Sequence, residues 1–249
     1  MFKQKEIKYE MKLLSSLVKV FQDETPVYQP ECLKLSALWG ETVSFQAAYT
    51  GDFFMRERLD VRVVSPIEKY VRVRTVEQVP VGRATNGIVD DNYLRTTSGL
   101  YPDLLRDLKD GKAVVCSRQW RSLWIDVDVT DETEAGNYEI EIQLVKEDAV
   151  VCSAVMKLEV IGVELPKLGI MHTEWLHADC IADYYHVEVF SEEHWKLLEN
   201  YFHEYVLRGC NMMLVPLFTS PLDTAVGLER TTTQLIDVEV KDGEYKFGF

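Results

Sequence analysis

Hydrophobic and polar residues alternate at every second position across much of residues 12–161. The clearest segments are NYEIEIQL (137–144), WIDVDV (124–129), YVRVRTV (70–76) and VSFQAAY (43–49). Such alternation is typical of strands with one buried face and one solvated face. Because polar, Gly-containing connections separate the best of these strands, the pattern predicts an antiparallel β-sandwich.

Residues 80–118 interrupt the alternation with several prolines and glycines. This pattern predicts a long irregular connection, and connections of that length usually have a function of their own. Within it, the segment YPDLLRDL (101–108) is expected to cover an edge of the sandwich.

The pattern changes near GVELPKLG (162–169), which has the composition of a linker. An apolar run (168–176), a helical segment (191–209) and a short apolar run (211–218) follow. Ser191 is the expected N-cap of the helix, and its apolar stripe is expected to be core. A strand, a helix and a strand in close succession predict a βαβ unit with parallel strands.

Two architectures therefore follow one another along the chain. We predict a mainly β protein in which residues 1–165 form the sandwich and residues 166–249 form the first β/α elements of a (β/α) barrel. A complete (β/α)8 barrel takes about 250 residues, so the second segment is expected to form an incomplete one. Its strands would have uncovered edges, which predicts a homodimer formed through these edges.

The net charge and the cysteine content exclude some classes of partner and indicate the cellular compartment. The formal net charge is −14 and no run of Lys and Arg occurs, which argues against nucleic acid and anionic membrane surfaces as partners. No stretch approaches the ~20 apolar residues of a membrane span, and no signal peptide is recognisable. The five cysteines are widely spaced without a CxxC motif, so we expect a cytoplasmic protein without a disulfide framework.

The segment from Leu176 to Val238, and the run NMMLVPLFTSPLDT (211–224) in particular, resembles the start of the catalytic barrel of glycoside hydrolase family 123. RSLWIDVDVTDETEAGNYEIEIQL (121–144) is similar to the sandwich domain that precedes that barrel. The resemblance implies an enzyme related to β-N-acetylgalactosaminidases, acting on N-acetylated or neutral sugars without a cofactor.

The resemblance also implies a substrate-assisted reaction. The acetamido oxygen of the sugar attacks the anomeric carbon, an Asp holds the acetamido group, and an adjacent Glu is the acid/base. Residues 166–249 contain no Asp-Glu dipeptide, so the pair is expected beyond residue 249. We therefore assign no catalytic residue to this chain and expect no turnover from it alone.

Four residues are predicted to contact substrate. Trp175 and Asp179 follow the first barrel strand, and Asp223 and Arg230 lie in the loop after the second. The loops after the strand ends form the active face of such barrels, and a Trp there offers a flat platform to the C–H face of a sugar. The alternatives are that Trp175 packs under the barrel rim and that Asp223 and Arg230 form an ion pair that braces the loop. The spacing of His172, Glu174 and His177 does not match a zinc motif, so no metal is expected.

A rival hypothesis assigns the function to the sandwich. On this interpretation the chain is a non-catalytic carbohydrate-binding or structural module.

Overall fold

The computed structural model divides the chain into two compact units, Met1–Leu165 and Pro166–Phe249. It describes residues 8–26, 30–52, 56–85, 87, 89, 91–167, 169–214 and 237–248.

The first unit is a sandwich of two five-stranded sheets. In chain order its strands are β1 (Tyr9–Ser15), β2 (Lys34–Trp39), β3 (Glu41–Gly51), β4 (Glu57–Val64), β5 (Val71–Val81), β6 (Gly99–Asp107), β7 (Lys112–Val115), β8 (Arg121–Val129), β9 (Gly136–Lys146) and β10 (Ala149–Glu164), with a 3-10 helix at Glu68–Tyr70. The first sheet has the order β1-β3-β8-β5-β6 and the second β2-β10-β9-β4-β7. All pairs are antiparallel except β2 with β10, which is parallel. The predicted mainly β sandwich is confirmed.

The alternating positions of β8 and β9 supply the core between the sheets. Ile125 on β8 and Ile140, Ile142 and Leu144 on β9 have no exposed surface. Burial of such a side chain contributes ~1.5–3 kcal/mol, so these two strands stabilise the face-to-face packing of the sheets.

Gly40 allows the chain to pass from one sheet to the other. It separates β2 of the second sheet from β3 of the first, and its φ of 85° lies in the left-handed region that favours glycine. Its N–H donates a hydrogen bond to the carbonyl of Val129 at 2.8 Å. The crossing between the layers is therefore fixed by main-chain geometry.

The stretch predicted to be irregular contains two strands. β6 is the edge strand of the first sheet and β7 is the edge strand of the second. The prolines and glycines of this region gave no sign of these strands, because an edge strand tolerates residues that a central strand does not. Pro102, for example, lies in β6, beside a register shift against β5.

The second unit contains a parallel strand pair, two helices and a hairpin. In chain order they are β11 (Thr173–Trp175), α1 (Ala178–Tyr185), α2 (Glu192–Leu207), β12 (Met212–Leu214), β13 (Asp237–Lys241) and β14 (Glu244–Gly248). β11 and β12 pair in parallel, as the predicted βαβ unit requires. Asp242 and Gly243 both have positive φ, which suits the two-residue turn between β13 and β14.

Helix α2 begins where the sequence predicts. The Ser191 side chain accepts a hydrogen bond from the His194 N–H at 3.2 Å, which confirms Ser191 as the N-cap. The apolar stripe is less buried than expected: Trp195 is 45% exposed and Val206 66% exposed, whereas Leu198 is buried. Amphipathic spacing identified the helix but not the extent to which its face is covered.

No helix in the described ranges is both long and apolar enough to cross a membrane.

Candidate functional site

The carboxyl end of β11 carries the more exposed of the two predicted site residues that the structure describes. Trp175 is the last residue of the strand, its register partner is Leu214 of β12, and 65% of its surface is exposed. The chain then passes through His177 into α1. The rings of Trp175 and His177 stack at a centroid distance of 6.5 Å and an interplanar angle of 28°. The result is a flat aromatic surface, open to solvent, at the end of a parallel strand.

Asp179 lies close to Trp175 in sequence but differs from it in exposure. It occupies the first turn of α1, where the helix dipole favours a negative charge, and is only 6% exposed. A carboxylate in this position stabilises the helix start, so its predicted contact with substrate stays a prediction.

Asp223 and Arg230, the other two predicted contacts, lie outside the described residues. Thr219 and Gln234 of the same loop also lie outside them.

Tyr205 of α2 ties the helix to the strand that carries Trp175. Its hydroxyl accepts a hydrogen bond from the Glu174 N–H and donates toward the Glu174 carbonyl at 2.5 Å, with the Met212 carbonyl at 3.3 Å. One phenol thus contacts the main chain of β11 and β12. The residue before Trp175 is fixed through its backbone, which restricts the orientation of the aromatic platform.

His194 lies in the first turn of α2. It is completely buried. Its Nδ1 accepts a hydrogen bond from the Phe190 N–H at 2.9 Å, so its Nε2 carries the proton and donates to the Ala178 carbonyl at 2.9 Å. The imidazole therefore joins the beginning of α1 to the beginning of α2. Phe190, which has a positive φ, is held at the entry to α2 by the same bond.

His172 lies at the opposite end of β11 from Trp175 and contacts Glu174. His172 precedes β11, and its Nε2 lies 3.6 Å from a Glu174 carboxylate oxygen. Its ring nitrogens lie 3.8 and 3.9 Å from the sulfur of the buried Cys210, which precedes β12. His172 and Cys210 thus flank the amino ends of both strands, the end that supports stability in barrel folds.

Metal binding has no support in the described part of the chain. No three His, Cys, Asp or Glu side chains there come together to hold a metal ion.

Comparison with known families gives a match over the second unit. Residues 175–249 match the family described as "Glycoside hydrolase 123, catalytic domain". The matched segment begins at Trp175. The resemblance to family 123 is therefore confirmed.

Comparison with solved structures extends the similarity to nearly the whole chain. A family 123 glycoside hydrolase from Clostridium perfringens, studied for the hydrolysis of glycolipid glycans, matches with a TM-score of 0.66 at 13% identity. The match covers 97% of this chain and 43% of that one. At this identity the likeness shows the fold. A β-glucosidase from Listeria innocua reaches a TM-score of only 0.29 at 12% identity, covering 64% of this chain and 17% of that one. No curated protein matches the chain.

Proposed function

We propose that this chain is the sandwich and the first β/α elements of a glycoside hydrolase related to β-N-acetylgalactosaminidases. Its substrate is a sugar that is N-acetylated or neutral. The relationship to family 123 supports the class of reaction, and the chain spans 43% of the family 123 structure that it matches. The second unit supplies the beginning of a barrel whose catalytic pair is contributed by polypeptide outside residues 1–249.

The observation that carries the proposal is the position of Trp175. It stands at the carboxyl end of a strand in a parallel pair, which is where (β/α) barrels bind substrate. Its exposed indole, backed by His177, matches the apolar C–H face of a pyranose ring. Tyr205 contributes as a positioning residue, because it holds the backbone of Glu174.

The chemistry proposed for the complete site needs two acidic groups with different tasks. One carboxylate orients the acetamido group, whose oxygen forms a bond to the anomeric carbon as the glycosidic bond breaks. The second carboxyl group donates its proton to the leaving oxygen. It then takes a proton from the water that opens the intermediate. The residues of this chain have the task of binding and orienting the sugar, and none is assigned to proton transfer.

Substitution of Trp175 tests the binding step. We expect Trp175→Ala to weaken binding of N-acetylgalactosamine about tenfold, the equivalent of ~1.4 kcal/mol, in a calorimetric titration. Trp195→Ala is the matched control, because it removes another exposed indole from the same unit. Equal affinities for the two variants would contradict the proposed platform.

Turnover provides a separate test. Incubation of this chain with a chromogenic N-acetylgalactosaminide is expected to release no chromophore, because the catalytic pair is missing. Release at a rate above that of the buffer would show that residues 1–249 contain a catalytic pair and would overturn this part of the proposal.

A further inference from the structure

A groove lies beside the edge strands of the sandwich, where β6 of the first sheet leads into β7 of the second. We call it the edge groove. Its volume is about 800 Å³, which falls in the range of small-molecule sites. Five cationic side chains line it: Arg56, Arg58, Arg106, Lys109 and Lys112. The chain as a whole has a net charge of −14, so this concentration of positive charge runs against the charge of the molecule.

A tight turn brings two of the lysines together. Asp110 and Gly111 both have positive φ, and Lys109 and Lys112 face each other across the turn in an antiparallel bridge. Like charges placed directly opposite each other destabilise a strand pair. The guanidinium of Arg58 lies at the same turn, where it donates a hydrogen bond to the Lys109 carbonyl at 2.8 Å. The turn thus brings the backbones of Lys109 and Lys112 and the guanidinium of Arg58 together.

Acidic neighbours neutralise only part of this charge. Arg58 pairs with Asp110 at 3.2 Å and Lys112 pairs with Asp60 at 2.7 Å. Asp107, which also lines the groove, pairs with Arg72 at 2.9 Å.

Three of the lining cations, Arg56, Arg106 and Lys109, have no ion pair with any described residue. The carboxylate of Glu77 in the same groove accepts a hydrogen bond from the Thr75 hydroxyl at 3.0 Å. Three unpaired cations outweigh this one carboxylate, so the unpaired charge of the groove is positive, which favours an anionic ligand.

The remaining lining has the chemistry that a sugar requires. Thr75, Glu77 and Gln78 offer hydroxyl, carboxylate and amide groups for hydroxyl recognition, and Leu104 and Val114 offer apolar contacts for C–H groups. A long polyanion would extend onto a surface that is acidic overall, whereas a short anionic saccharide fits within the groove. We propose that the edge groove binds an anionic saccharide that carries a carboxylate or sulfate group. The choice of a saccharide over other small anions rests on the proposed function.

A titration of the chain with short saccharides tests this site. We expect a sulfated or uronic-acid disaccharide to bind, and the neutral disaccharide of the same size to bind at least about tenfold more weakly, since charge-assisted hydrogen bonds are lost. The affinity is expected to fall as salt rises from 50 to 500 mM, a range over which screening shortens to a few ångströms. The sulfated and carboxylated ligands separate the two sources of charge.

The double variant Arg106→Gln with Lys109→Gln is expected to weaken binding of the anionic disaccharide at least about tenfold. The matched control is Lys34→Gln with Lys69→Gln, which removes the same charge from exposed positions elsewhere on the sandwich. The thermal midpoint of the Arg106/Lys109 variant is expected to be equal to or above that of the control, because repulsion at the turn is relieved. A purely structural role for these cations predicts a lower midpoint instead.

Three results would overturn the proposal. They are no binding of either anionic disaccharide, equal affinities for the two double variants, and inorganic sulfate binding as tightly as the sulfated disaccharide. The site is distinguishable from the Trp175 platform: Trp175→Ala is expected to leave anionic binding unchanged, and the Arg106/Lys109 variant is expected to retain binding of N-acetylgalactosamine. Failure of one site therefore leaves the other testable.

Discussion

A single imidazole links the two helices of the second unit. His194 has hydrogen-bond partners on both ring nitrogens and no exposed surface. Its removal empties a buried position and takes this partner from the part-buried Phe190 N–H and Ala178 carbonyl, and loss of a hydrogen bond to such a group costs ~1–3 kcal/mol. We expect His194→Ala to lower the free energy of unfolding by about 3 kcal/mol, as measured by urea denaturation. His203→Ala, which truncates an exposed histidine on the same helix, is the control and is expected to change little.

In the sandwich, the buried side chain of Asp126 links strands in the way that His194 links the two helices. It accepts hydrogen bonds from the Ser44 hydroxyl and the Trp124 indole, both at 2.7 Å, and forms an ion pair with Arg74. Asp126→Ala would leave the largely buried Arg74 without its partner, so we expect a loss of about 3 kcal/mol. Asp128→Ala, two residues along on the same face but exposed, is the control. Equal losses in thermal melts of the two variants would contradict this account.

These two residues mark the limit of prediction from sequence at this scale. Period-two alternation places Asp126 on the solvated face of β8, and the helical spacing of apolar residues in 191–209 gives no sign that His194 is buried. Asp126 is buried beside side chains from strands distant in sequence, Ser44 of β3 and Arg74 of β5, which both bond to it. His194 packs against the beginning of α1, a helix that no sequence pattern predicted. Long-range packing of this kind has no local sequence signal.

At the scale of the elements, Glu57 clamps the two sheets together. It lies on β4 of the second sheet, accepts a hydrogen bond from Tyr9 of β1 in the first sheet at 2.6 Å, and pairs with Lys146 of β9. Burial alone would raise the pKa of Glu57, but the bonds from Lys146 and Tyr9 outweigh it, so the pKa lies below its ordinary value. Because the pKa is lowered in the folded state, the clamp contributes fully above the ordinary glutamate pKa of about 4.3 and is lost as the pH falls below it.

We therefore expect Glu57→Gln to flatten the acid side of the stability profile. The difference in thermal midpoint between wild type and variant should be largest above pH 5 and should shrink between pH 5 and pH 3, a window that follows from the ordinary glutamate pKa of about 4.3. Glu139→Gln, at an exposed position on β9, is the control. A difference that stays constant over this range would rule out ionisation of Glu57 as the cause.

Most elements could be predicted from the sequence, but some could not. The alternation in 124–129 and 137–144 predicted strands whose inner residues are buried, as β8 and β9 show. The N-cap at Ser191 and the turn at Asp242 and Gly243 were predictable, because both depend on local chemistry. The strands β6 and β7 were not, since an edge strand is specified by its neighbours and tolerates proline and glycine.

At the scale of the whole molecule, the parallel pair of the second unit leaves apolar surface exposed. Met212 and Leu214 of β12 are each 42% exposed, and Ile170 and Met171 before β11 are 70% and 79% exposed. Within the described residues β11 and β12 pair only with each other. We expect this surface to drive formation of a homodimer at micromolar concentration. Light scattering checks this, and a monodisperse monomer would count against it.

The two proposed binding sites also differ in whether a local stretch of sequence predicts them. Exposure of Trp175 after a strand was predictable from one stretch of sequence. The edge groove was not, because its lining comes from four strands and from a turn within a region that the composition indicated to be irregular.

The phenol of Tyr205 has a consequence for sequence drift. Its hydroxyl contacts main-chain atoms of Glu174 and Met212, which every amino acid at those positions would present in the same way, apart from proline at 174, which lacks the N–H. Positions 174 and 212 are therefore expected to tolerate many replacements in a deep mutational scan. Position 205 should tolerate few, and even phenylalanine, which lacks only the hydroxyl, is expected to be depleted there. The restraint on the strand is thus encoded almost entirely on the helix.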